Sequence, residues 1–210
     1  MVPVAGARVD GRVARGNQTR RLVLGRTMDI ASVEGLDGLS IGRVATELGL
    51  SKSGVFALFG SKEEMQLATI RAARAVYARR VVHPAEEVPP GVGRVRELCA
   101  SYLAYSRGRT FRGGCFFTAV AAEFSARDGA VRDAVAAARA EWIGCVRGVI
   151  QEARDLGELR ADVDVPQLAF ELAALLEMAN ADSVLHRDDG GYGRAARAID
   201  ERLAAATPGG

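Results

Sequence analysis

Three observations predict that this chain is all-α, with about nine helices. Along most of its 210 residues, apolar side chains recur at the i, i+3, i+4, i+7 spacing of one helix face. Each periodic run is bounded by serine, glycine or proline, the residues that start and stop helices. No stretch alternates apolar and polar residues as a half-buried strand would, and no internal repeat is present. A hydrophobic fraction of 49% supplies ample material for a core. No apolar run reaches the roughly 18 residues of a spanning helix, since Glu171 and Glu177 interrupt the best candidate, so no membrane is expected as a partner. The N-terminus carries Arg8, Arg12 and Arg15 without an apolar export segment, and a cytoplasmic location follows as an expectation.

Residues 1–18 are small, polar and Arg-rich and are expected as a flexible basic arm. A first helix over 19–34 turns Val23, Thr27, Ile30 and Ala31 inward and stops at Gly35, after which Leu36 and Leu39 close the core below. Ser40 caps a short helix whose stripe is Ile41, Val44, Ala45 and Leu48, and Gly49 ends it in a left-handed conformation. Ser51 opens the next helix, with Val55, Leu58 and Phe59 inward and Lys52, Ser53, Phe56 and Ala57 outward, and Gly60 ends that one. Ser61 with Glu64 three residues later forms a capping box for a helix running from Lys62 to about Val82, which His83 and Pro84 terminate. A proline-rich connection over 85–93 leads to a helix from Val92 to about Arg107. Gly113 and Gly114 then admit a tight turn before a short apolar helix over 116–124. A long amphipathic helix spans 129–156, another begins at Val165 and Pro166, a turn occupies 188–193, and an Ala-rich helix ends near Ala206.

Two short helices joined by a glycine-containing turn are a helix-turn-helix, whose second helix enters the DNA major groove. The order Ser40, Ile41, Ala45, Gly49, Ser51-Lys52, Phe56, Phe59, Ser61-Lys62-Glu63 makes the segment from Thr19 to Met65 closely similar to the DNA-binding domain of the TetR family of bacterial transcriptional regulators. That resemblance implies DNA contacts from Ser40, Ser51, Lys52, Ser53, Gly54, Phe56, Ala57, Ser61 and Lys62. The family usually has a tyrosine at the position of Phe56 and often a threonine at that of Gly54. This recognition helix is therefore poor in side-chain donors, and base readout falls to Lys52, Ser53, the Ala57 methyl and close backbone approach at Gly54.

Charge distribution agrees. Residues 1–80 hold 13 Lys and Arg against 7 Asp and Glu, and the remainder 15 against 19, so the basic half is the one with the motif. The only two lysines, Lys52 and Lys62, lie within it. Cys99, Cys115 and Cys145 are widely spaced with no Cys-x-x-Cys pair, which fits small buried hydrophobes in a reducing compartment.

The helix from Val165 is apolar on more than one face and so must be covered on both sides. Residues 165–206 resemble the last two helices of TetR-family proteins, which pair about a two-fold axis, and a homodimer through them is expected, with Leu175 and Leu176 in its interface. The resemblance also implies an effector cavity in the second domain, for which the candidates are Tyr102, Ser106, Phe116, Phe117, Val120, Trp142, Cys145, Leu175 and Met178, with Glu177 and Asn180 as further polar handles.

No catalytic constellation is visible: His186-Arg187-Asp188 lacks the asparagine and the glycine-rich loop of a kinase site, and His186 with Asp188 and Asp189 would crowd three ligands into one turn. No metal and no cofactor are expected. The expected organisation is an arm (1–18), a three-helix helix-turn-helix domain (19–65) and a C-terminal helical effector-binding and dimerisation domain (66–210). The expected function is a non-enzymatic, homodimeric transcriptional repressor released from a palindromic double-stranded operator by an unknown small molecule. Two alternatives remain open: a DNA-binding helical protein without effector, and a redox-responsive regulator acting through its cysteines.

Overall fold

The computed structural model describes the backbone of residues 11–209 and the side chains of residues 14–209. The elements are α1 (Gly11–Glu34), α2 (Ile41–Leu48), α3 (Lys52–Phe59), α4 (Lys62–Tyr77), a π-helical turn (Ala78–Val82), α5 (His83–Glu86), α6 (Val92–Arg107), α7 (Phe116–Phe124), α8 (Ala130–Asp155), α9 (Val165–His186) and α10 (Gly190–Ala206). Counting the uninterrupted stretch 62–86 once, the described residues form nine helices and no strand.

Helices α1 to α3 form the small unit, with α4 leading out of it. Helices α6, α8, α9 and α10 pack on one another, and α7 bridges α1 to α8. One continuous core runs from Val23 on α1 through Tyr77 and Trp142 to Leu203 on α10, so the two units share an apolar interior.

Three boundaries differ from the expectation, each for a local reason. First, α1 begins at Gly11 rather than Thr19, so residues 11–18 are helical instead of an arm; arginines and glutamine are good helix formers, and the Thr19 hydroxyl donates back to the Arg15 carbonyl at 3.0 Å. The expected arm's residues 1–10 lie outside the described residues.

Second, His83 and Pro84 do not end the fourth helix. A proline in a continuing α-helix lacks an N–H and presses its ring on the carbonyl four residues back. The widened π turn over Ala78–Val82 absorbs that mismatch, and Pro84 sits in the first turn of α5, where no N–H is needed. Third, α10 starts at Gly190, inside the expected turn.

The remaining caps follow the sequence. Asp164 accepts from the Gln167 N–H at 3.0 Å to start α9. Ser61 accepts from the Glu64 N–H at 3.0 Å, while the Glu64 carboxylate leans 3.9 Å from Arg71, so half of the expected capping box is formed.

Candidate nucleic-acid interface and ligand cavity

The helix-turn-helix is built by its caps. Ser40 Oγ accepts from the Arg43 N–H at 3.1 Å. Gly49 adopts φ 64°, letting the Leu50 N–H reach back to the Ala45 carbonyl at 2.8 Å and close α2. Ser51 Oγ accepts from the Gly54 N–H at 3.0 Å, which fixes the start of α3. Val55 and Phe59 are buried, while Lys52, Ser53, Gly54, Phe56 and Ala57 all face outward, with Phe56 53% exposed although it is a large apolar ring.

The serines expected at the interface, Ser40, Ser51 and Ser61, thus act as caps through their lone pairs, which leaves each hydroxyl hydrogen available to an acceptor. Arg43 bridges Glu34 and Glu47, and Arg26 also pairs with Glu47. Hydrogen bonds from Arg43 hold both carboxyls below the usual range, so part of the unit's basic charge is committed to joining α1 to α2. Lys62 donates to the Asp37 carbonyl at 2.9 Å and lies 3.6 Å from its carboxylate. Among the described residues Lys52 makes no ion pair.

That difference sets an expectation for salt dependence. Each phosphate neutralised contributes about 0.9 to the slope of log K against log salt. Lys52→Ala should lower the slope by about that amount, and Lys62→Ala by less, because Asp37 already shares its charge. Anisotropy titrations of one duplex across a salt series check this; an unchanged slope for Lys52→Ala with an altered base preference would reassign Lys52 to base reading.

The second candidate site is a cavity of about 190 Å³ between the π turn, α6, α7, α8 and α9. Its walls include Tyr77, Ala78 and Val82 from the end of α4 and the π turn, Tyr102 from α6, Cys115, Phe117 and Thr118 from the start of α7, Trp142 and Cys145 from α8, and Glu177 from α9. The rings form one cluster. Tyr77 meets Trp142 edge-on at 5.3 Å and Phe117 at 5.8 Å, and Tyr102 stacks on Trp142 at 5.7 Å.

Burial pushes the Tyr77 and Tyr102 phenols well above their ordinary value, so both remain protonated donors. Tyr77 Oη, Tyr102 Oη and Trp142 Nε1 are buried without a hydrogen-bond partner in the protein, although Tyr102 Oη faces Thr118 and Cys115. The charged lining residues are neutralised in pairs, Arg74 with Glu141 and Arg139 with Glu177, the latter at 3.0 Å.

Of the sequence candidates for this cavity, Tyr102, Phe117, Trp142 and Cys145 are brought together there and five are not. Phe116 and Val120 are fully buried on the other face of α7, in the core. Ser106 is tied to Asn180 Oδ1 at 2.6 Å and to Tyr192 Oη at 2.9 Å, where it joins α6 to α9 and α10. Met178 is 65% exposed on the outer face of α9, and Leu175 lines a shallow groove beside it with Phe170 and Ala198. Leu176, expected with Leu175 in an interface, is fully buried within the protomer instead.

Tyr77, Cys115 and Thr118 were missed. Tyr77 reads as one more inward residue of the fourth helix, and nothing in the linear order places the end of that helix beside Trp142. The two charged pairs join positions far apart in the chain, which spacing cannot reveal.

Cavity and helix-turn-helix are mechanically joined. The Leu36 and Asp37 N–H groups, in the turn between α1 and α2, donate to the two oxygens of Glu123 on α7 at 2.7 and 2.8 Å. Arg127, just beyond α7, pairs with Asp37 and holds its carboxyl below the usual range. Asp37 in turn accepts from Lys62 at the head of α4, whose far end lines the cavity.

The comparisons with known proteins agree with this architecture. A family model described as bacterial regulatory proteins, tetR family, matches residues 23–69, and one described as tetracyclin repressor-like, C-terminal domain, matches residues 91–199, which is half of the chain. None of the curated proteins compared matches significantly. Among solved structures, a TetR transcriptional regulator from Chloroflexus aurantiacus J-10-FL aligns with TM-score 0.85 and 23% identity over 92% of this chain and 98% of that one. A putative transcriptional regulator from Saccharomonospora viridis, solved in complex with choline, aligns with TM-score 0.74 and 19% identity over 90% and 96% of the two chains. AibR, solved in complex with isovaleryl coenzyme A and operator DNA, aligns with TM-score 0.63 and 17% identity over 77% and 85%. With both family models in register with the two structural units, the chain belongs to the TetR family and is a DNA-binding transcriptional regulator.

Proposed function

We propose that the protein is a cytoplasmic, non-enzymatic homodimer that represses transcription by holding a palindromic operator and leaves it when a small molecule fills the cavity between α4 and α8. The observation that carries this reading is the placement of α4. Its first residue, Lys62, belongs to the helix-turn-helix, and its last, Tyr77, is a wall of the cavity. At about 1.5 Å per residue this is a rigid lever of about 24 Å. A ligand entering between Tyr77 and Trp142 displaces the cavity end of α4 at the π turn, an irregular segment where a helix bends at low cost. Through Lys62, and through Glu123 on α7, the movement reaches the turn that carries α2 and α3. Release then requires that the ligand bind more tightly to the conformer that fits DNA poorly, and operator DNA must weaken ligand binding by the same factor.

The homodimer is supported by α9. Phe170, Met178 and Leu185 are 68%, 65% and 77% exposed, and with Ala174 and Ala181 they follow a stripe of four- and three-residue steps on the face opposite the protomer core. Such a stripe fits an antiparallel or two-fold helix pair. An apolar cavity favours an effector over a DNA-binding protein without one. The cysteine alternative has no comparable support. Burial pushes the Cys99 thiol up to about 12 and also raises Cys145, so neither is the reactive thiolate at neutral pH.

Selection of bound duplexes from a random pool tests the reading directly. An inverted repeat with half-site centres on the order of 35 Å apart is expected. Recovery of a single asymmetric half-site would remove the dimer from the proposal.

A further inference from the structure

We propose that the cavity takes a compact neutral molecule of about one ring carrying a hydrogen-bond acceptor oxygen, such as an aromatic ketone, aldehyde or ester. This rests on the reading of the cavity as the effector site and says what that effector is chemically. Three groups decide the chemistry. Tyr77 Oη and Trp142 Nε1 are buried and lack a protein partner, Tyr102 Oη is buried with only Thr118 and Cys115 beside it, and all three belong to residues lining one cavity. Indole Nε1–H is a donor only, so the group that satisfies it must accept. A buried donor left unmatched is costly, and a site with several of them discriminates strongly for a molecule that supplies the acceptor.

Charge of either sign is disfavoured. A carboxylate or phosphate would need an unpaired cation, yet Arg74 and Arg139, the basic lining residues, are held by Glu141 and Glu177. An organic cation would need open ring faces or an unpaired carboxylate. Tyr102 and Trp142 stack at 5.7 Å with planes 24° apart, so each occupies one face of the other, and both carboxylates are paired. Burying an uncompensated charge among these rings would be expensive. Size limits the rest. An apolar cavity of about 150 Å³ admits benzene, so 190 Å³ admits one substituted ring or a chain of similar bulk.

The test uses the full chain and four probes of one ring each: acetophenone, ethylbenzene, benzoate and phenyltrimethylammonium. Trp142, the only tryptophan, reports binding by fluorescence, and thermal shift gives an independent readout. Acetophenone should bind at least about tenfold more tightly than ethylbenzene, which has the same ring without an acceptor, and more tightly than either ion. In Tyr77→Phe/Tyr102→Phe, which keeps the rings and removes two of the three donors, acetophenone should lose most of its advantage over ethylbenzene, the Trp142 N–H alone remaining, while ethylbenzene itself is unchanged. Equal binding of acetophenone and ethylbenzene, tightest binding by either ion, no binding by any probe up to its solubility, or a preference for acetophenone that is undiminished in the double variant each overturns the proposal. Operator binding separates this from the effector reading. Selective acetophenone binding that leaves the operator complex intact would remove the effector role and keep the ligand class. Release of the operator by ethylbenzene as readily as by acetophenone would do the reverse.

Discussion

Phe170→Glu/Met178→Glu should convert the proposed dimer to monomers and weaken operator binding by about 10²- to 10⁴-fold, the avidity that two linked half-sites supply. Both side chains are more than half exposed in the protomer, so the substitution places no carboxylate in its own core. Across a two-fold axis, four carboxylates would then replace apolar contacts, losing hydrophobic burial and adding like-charge repulsion. Sedimentation should show monomers whose helical content and thermal unfolding remain near those of the parent. A dimer that persists would place the interface elsewhere. Leu176→Glu makes an unsuitable version of the same experiment, because Leu176 is fully buried among the helices of one protomer and its loss reports on folding.

The second large effect is expected at Gly113. A Cβ there would lie 1.7 Å from the Ser32 carbonyl oxygen and 2.4 Å from its carbon, where no flexible side chain can yield. The Gly113 N–H also donates to Ser32 Oγ at 3.1 Å, so the turn before α7 is pressed against the end of α1. Gly113→Ala should force the two units apart at that seam. Overpacking of this kind costs about 1–3 kcal/mol or more, which for a chain of this size lowers Tm by about 2–12 °C. Gly144→Ala is the control: it lies within α8 with nothing within 4 Å, and alanine should stabilise the helix by about 0.5–1 kcal/mol. The measurement is thermal unfolding of both variants, together with the proposed release of DNA by a bound ligand, which should weaken in Gly113→Ala as the seam loosens. A Gly113→Ala protein as stable as Gly144→Ala would show that the seam tolerates a methyl group and would remove it from the coupling route.

The helix-turn-helix was legible because everything that makes it is local. Ser40, Gly49, Ser51 and Gly60 each act on backbone groups within about one turn of themselves, and a capping hydrogen bond or a left-handed glycine needs no knowledge of distant contacts. The exposed face of α3 follows from the same periodicity, since once Val55 and Phe59 point inward, Lys52, Phe56 and Ala57 point out. Where local signals compete, the sequence alone does not fix the helix ends. Pro84 is a strong stop in a regular α-helix, but a π turn lets the helix pass it, and the Arg-rich start of α1 is helical although its composition suits a solvated arm equally well.

By itself the sequence determined the helices, their caps, the motif and the aromatic inventory, because each depends on residues a few positions apart. The tertiary structure alone decided which apolar residues face a cavity, which face the core and which remain outside. Phe116 and Phe117 are neighbours in sequence, yet a rotation of about 100° along α7 sends one into the core and the other to the cavity wall. Leu175, Leu176 and Met178 divide in the same way among a surface groove, the interior and the outer face of α9. Apolarity drives all of these side chains out of water alike, being non-directional, and only the neighbours brought up by folding decide what each one meets.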